Sequence, residues 1–238
     1  MVIVILRLLF QILQFPVEMT DNDCVSIFRV GPDLFTTSDS CFMRKITSDL
    51  DTGEKLDTNK LFGLNGASAH PITEEDGTVY NIGFSCMTGL KFNVIRIPSK
   101  GFSSKEMMKS SKTIASIPSR WSTGLAYNHS FGITENYIIF IEQPYVVSFS
   151  KVAGSVMKGG SAFKDWLEWR PEEKNRFVII EKTGKIVKTE YYSNDSFFFL
   201  HFINCYEEDN EVCDAKSVSL ILHYELVTRI ALILRYVT

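Results

Sequence analysis

The chain has 238 residues, 45% hydrophobic and 22% charged, with 25 Lys and Arg against 28 Asp and Glu for a net charge of −3. That length suits one large domain or two small ones, and the average globular composition excludes a disordered tail, a collagen-like chain and a coiled coil. Without a basic excess to neutralise phosphates, a nucleic-acid partner is not expected.

The first elements in chain order are apolar but not membrane-spanning. Met1–Phe10 is interrupted by Arg7 and followed by Gln11, Gln14 and Pro16. A signal peptide would place its charge before the apolar run and small residues after it, and the run is too short to cross a bilayer. Strand candidates follow. Val25–Val30 ends at Gly31-Pro32, Thr78–Ile82 follows the Asp76-Gly77 turn, and Phe92–Ile97 alternates until Pro98. Tyr137–Ile141 and Phe177–Ile180 are continuous apolar runs, as expected of strands covered on both faces. Two stretches share one layout: Met43–Ile46 leads through Asp51-Thr52-Gly53-Glu54 to Lys55-Leu56, and Phe177–Glu181 leads through Lys182-Thr183-Gly184-Lys185 to Ile186-Val187. Each reads as a hairpin whose glycine supplies a positive φ. The Gly- and Ser-rich stretch Gly154–Gly160 reads as a loop. The final apolar stretch, Val218–Val237, holds His223, Glu225, Arg229 and Arg235, charges too costly for hydrocarbon. Recurrent short strands and hairpins predict an all-β sandwich, barrel or propeller, with repetition favouring the propeller.

Five cysteines, an odd number without a CxxC pair, point to a reducing cytosol and away from a cysteine zinc site. Three of the four histidines stand at strand edges: His70 in Ala69-His70-Pro71, His129 in Asn128-His129-Ser130-Phe131-Gly132, and His201 after Phe197–Phe199. They are 59 and 72 residues apart, too far for a local zinc motif. One ligand from each successive repeat of a β fold would give such spacing, and neutral imidazoles suit iron, zinc, copper or nickel. Each histidine taken singly also fits a half-buried residue bonded to backbone.

Ala67–Pro71 with Asp76–Gly83, His129–Tyr137 running on to Glu142-Gln143-Pro144, and Leu200–Glu207 together resemble the carotenoid cleavage oxygenase family. Met19–Asn22 is similar to its animal branch. The resemblance covers residues 17–212, flanked by apolar segments 1–16 and 213–238 that match poorly. It implies a seven-bladed β-propeller, of which this chain would be a partial, incomplete copy about half the family fold. It implies Fe(II) held by four histidines, the first three matching His70, His129 and His201; nothing here matches the fourth, and His223 is not promoted to that role. Asp39, in Thr37-Ser38-Asp39-Ser40, falls where the family has a glutamate that orients the second ligand. The implied reaction is cleavage of a carotenoid, apocarotenoid or retinoid double bond by O2, giving retinal-type aldehydes. The alternative is an inactive fragment, or a carotenoid- or lipid-binding protein lacking the fourth histidine. The resemblance further implies a cytoplasmic protein associated peripherally with intracellular membranes, with Val152–Met157 near the membrane-facing patch.

Overall fold

The computed structural model describes residues 21–157, 162–208, 211–217 and 229–234. Both flanking apolar segments lie wholly or largely outside them, and so does His223. The chain divides into two compact units, before and after Pro118.

Among its described residues, the first unit holds two antiparallel meanders. Strands β1 (Ser26–Val30), β2 (Asp33–Thr37), β3 (Phe42–Ile46) and β4 (Thr52–Asp57) pair in chain order. In β1 the buried positions Phe28 and Val30 alternate with exposed Ile27 and Arg29, the period-two pattern of a strand with one covered face. The second meander joins β5 (Gly66–Ala67), β7 (Val79–Ser85), β8 (Lys91–Ile97) and β9 (Lys112–Pro118), while β6 (Ile72–Thr73) also pairs with β7. Phe28, Phe35, Leu64, Val79 and Ile95 form the core with Met107 and Met108, which come from the helix Ser104–Lys109. Ser103 caps that helix by accepting the Glu106 N–H.

Among its described residues, the second unit holds three sheets. Strands β10 (Gly124–Ala126), β13 (Tyr145–Ser148) and β14 (Leu167–Trp169) form one, and β11 (Gly132–Ile133), β12 (Tyr137–Glu142), β15 (Arg176–Glu181) and β16 (Ile186–Tyr192) another. The third is β17 (His201–Glu208), β18 (Glu211–Ser217) and β19 (Arg229–Leu234). The two apolar runs become β12 and β15, paired from Tyr137–Glu181 to Glu142–Arg176 and buried on both faces. Ile141, Phe177 and Phe199 centre this core, with Phe197 and Phe202 packed against it. The aromatic run before His201 is thus partly core material.

Two expectations are corrected. Gly53 does not turn the first hairpin. It lies within β4, where a Cβ would meet the Lys45 carbonyl at 2.8 Å, and the residue with positive φ is Leu50 at 66°. Gly77 and Gly184 do take positive φ, at 86° and 100°. The Gly154 stretch is not a loop from its start: Phe149–Met157 is helical. Phe149 and Val152 are buried on one side of this helix, and Ser155 accepts a hydrogen bond from Trp166 Nε1 at 3.1 Å. Burial of that face outweighs the poor helix propensity of Gly154 and Ser155.

Candidate metal centre

In the first unit, His70 follows β5 in a segment fixed through its neighbours. Ser68 donates its N–H to the Ile82 carbonyl, and the Ser68 carbonyl accepts from Asn81 Nδ2 at 3.2 Å. Thr37 donates its hydroxyl to the Ala69 carbonyl at 3.1 Å, and Asp39 Oδ1 accepts the Ala69 N–H at 2.9 Å. The His70 N–H donates to Ser68 Oγ. Asp39 therefore braces the residue before His70, and Ala69 beside it is fully buried. The half-buried His70 side chain thus stands on a constrained backbone.

In the second unit, His129 and His201 come together. Their ring centres lie 4.8 Å apart, edge to face at 80°. His129 is 9% exposed and precedes β11, while His201 opens β17 and is exposed. The Tyr127 hydroxyl lies 3.3 Å from His129 Nδ1. An oxygen partner on one ring nitrogen is how a protein fixes a ligand histidine's tautomer, leaving the other nitrogen as donor. Tyr127 was missed in the sequence, where nothing separates it from other aromatics near a histidine.

Backbone proximity explains the approach of the two rings. A Cβ on Gly132 would stand 2.3 Å from Cys205 Sγ and 3.0 Å from the Phe202 ring, so only glycine allows β11 so near β17. Ser130 Oγ donates to the Leu200 carbonyl, joining the residue after His129 to the residue before His201. Farther along, Glu207 accepts from the Asn136 N–H at 2.8 Å, Asn136 Nδ2 at 2.9 Å and the Thr134 hydroxyl. Burial pushes the Glu207 carboxyl up, but those donors outweigh it and hold its pKa below the ordinary value.

A buried ionic group lies at the end of β12. Glu142, fully buried on β12, accepts the Arg120 N–H at 3.1 Å and faces the Arg120 and Arg176 guanidiniums at 3.3 and 2.8 Å. Burial pushes its carboxyl up in pKa, and Arg176 and Arg120 pull it back.

Neutral nitrogen donors of this kind fit a borderline divalent cation, iron included. Among the described residues, no helix is long and apolar enough to cross a membrane.

Residues 7–229 match the family described as retinal pigment epithelial membrane protein. The carotenoid-cleaving dioxygenase, mitochondrial, of Macaca fascicularis is 38% identical over 215 residues, covering 87% of this chain and 38% of that protein. The beta,beta-carotene 15,15'-dioxygenase of Gallus gallus is 37% identical over 202 residues, covering 82% and 38%. Among solved structures, cobalt-substituted Synechocystis apocarotenoid oxygenase superposes with a TM-score of 0.62 at 17% identity, covering 86% of this chain and 41% of that one. Pseudomonas brassicacearum lignostilbene dioxygenase does so at 0.62 and 17%, covering 92% and 44%. The chain thus spans well under half the length of these relatives, and its fold is part of the β-propeller they share. On the family match and the curated identities together, this chain belongs to the retinal pigment epithelial membrane protein family, the carotenoid oxygenases.

Proposed function

We propose that this chain contributes to the oxidative cleavage of a carotenoid double bond, with His70, His129 and His201 as ligands of one ferrous iron. The observation that carries the reading is the edge-to-face pairing of His129 and His201, whose approach Gly132 makes possible. The motif that carries His70, Ala67–Pro71 with Asp76–Gly83, supports its place as the third ligand. Iron, when bound, supplies the electron and the open coordination positions that O2 chemistry on a polyene requires.

The protein's own residues do the rest. Tyr127 holds the His129 ring against rotation, and Asp39 holds the backbone on which His70 turns. The core packing of Phe199 and Phe202, edge to face at 5.3 Å, supports the strand from which His201 projects. The carotenoid or apocarotenoid substrate class comes from the relatives named carotenoid-cleaving and carotene dioxygenases. Those names favour cleavage over simple pigment binding. O2 is the co-substrate, and the proposed setting is cytoplasmic, in peripheral contact with the membranes that store such substrates.

The test is retinal formation from β-carotene by the purified, ferrous-loaded chain under air. The expected result is product with wild type and none after His129→Ala. Equal traces from both, or from a metal-free control, would contradict the reading.

A further inference from the structure

The strongest unexplained polar side chain near the pair is Gln143, fully buried between β12 and β13. Its Nε2 donates to the Tyr127 carbonyl at 2.9 Å and to the Phe199 carbonyl at 3.2 Å. Its Oε1 accepts the Phe199 N–H at 3.0 Å. Tyr127 and Phe199 each stand two residues before a histidine, His129 and His201. One carboxamide therefore grips both histidine-bearing segments at the same offset. Two residues on, the Tyr145 carbonyl accepts the Tyr127 N–H at 2.7 Å, so residues 143 and 145 hold both backbone polar groups of Tyr127. Ser130, one residue after His129, also donates its hydroxyl to the carbonyl of Leu200, one residue before His201.

We infer that Gln143 is a positioning residue for the metal centre, setting the separation of His129 and His201 by clamping the backbone two residues ahead of each. The inference rests on the metal-centre reading above. A buried carboxamide with three of its four bonding positions used is rigid, because releasing any one partner leaves a buried polar group unpaired. An apolar side chain of equal size would fill the space but leave the two segments free to slide.

Asn175 offers an internal control. It is fully buried too, donates Nδ2 to the Phe197 carbonyl and accepts the Phe197 N–H, both at 2.8 Å, yet grips one segment only. Cobalt(II) is the probe, read by affinity and by its ligand-field absorption, beside the melting temperature of the metal-free protein. Gln143→Leu is expected to weaken cobalt binding about tenfold or more and to shift the absorption bands, as losses of supporting contacts around metal ligands do. Gln143→Glu, which keeps the acceptor but not the donors, is expected to do the same and serves if Gln143→Leu does not fold. Asn175→Leu is expected to lower the melting temperature while leaving affinity and spectrum at wild type. Wild-type binding by the folded Gln143 variant, or equal loss of binding in Asn175→Leu, would overturn the inference. If wild type itself takes up no cobalt, the metal reading fails, and crystal structures of metal-free wild type and variant decide the clamp. A ring separation unchanged from 4.8 Å would overturn it, and a widened one would uphold it.

Discussion

At Leu50, 81% exposed in a left-handed conformation, a branched side chain occupies a backbone region that disfavours it by about 1–2 kcal/mol. The turn is held by Leu50 N–H to the Thr47 carbonyl and Asp51 N–H to Thr47 Oγ1, both 3.0 Å, so its shape does not depend on the leucine. Leu50→Gly is expected to raise stability by about 0.5–1 kcal/mol in urea unfolding, the relief of strain less the added freedom of the unfolded chain. Gly132 is the opposite case. Gly132→Ala forces its Cβ onto Cys205 Sγ, and a loss of about 1–3 kcal/mol is expected, typical of overpacking. A double-mutant cycle with Cys205→Ala should recover part of it, leaving the Phe202 contact. The sequence motif around His129 includes Gly132, but its steric reason appears only when β17 is placed beside it. Gly53 reads as the turn because a Thr-Gly pair is a frequent turn signal, whereas the positive φ lies three residues earlier, at Leu50.

Strands with long apolar runs were legible, while polar contacts between strands were not. Tyr137–Ile141 and Phe177–Ile180 needed only their hydrophobicity to be read as covered strands. Nothing in Glu142-Gln143-Pro144 says that both polar residues are fully buried, because their partners at Arg120, Arg176, Tyr127 and Phe199 are remote in sequence. Glu142→Gln takes the buried carboxylate from both guanidiniums at the end of β12, Arg120 keeping Glu173 at 3.9 Å, and is expected to cost about 3 kcal/mol by chemical denaturation. Ahead of β1, Asp23 is 9% exposed and bonded by the Ser38 hydroxyl at 2.9 Å. Burial raises its pKa from the ordinary 3.8 to about 6, against the pull of Ser38 and with a further push from Asp21. The folded form then keeps a proton that the unfolded chain releases between about pH 4 and pH 6, so stability falls as pH rises through that window and levels off above it. The loss is at most about 3 kcal/mol. Asp23→Asn should flatten the urea midpoint between pH 4 and 7, whereas an unchanged slope would assign the effect to another group.

At the scale of the whole molecule, two kinds of legibility differ. The family was readable from three histidine motifs in order, and its match to residues 7–229 establishes it. The all-β class was readable from hairpins, although the helix Phe149–Met157 was not, because its Gly and Ser content hides a buried face. The braces around the histidines were only half readable. Asp39 is singled out by position, and one hydrogen bond it accepts is from the Ala69 backbone N–H; Gln143 lies inside a motif of the resemblance but its bonding partners are not legible there, and Tyr127 carries no sequence signal. The central claim is that one cation takes all three imidazoles. It is tested most directly by cobalt(II) titration of the wild-type chain and of His70→Ala, His129→Ala and His201→Ala, followed by X-ray absorption at the cobalt edge. The account predicts one cobalt per chain with three histidine nitrogens in its shell, and at least about tenfold weaker binding in every variant. Full-affinity binding after loss of His70, or a shell with fewer than three imidazoles, would contradict it.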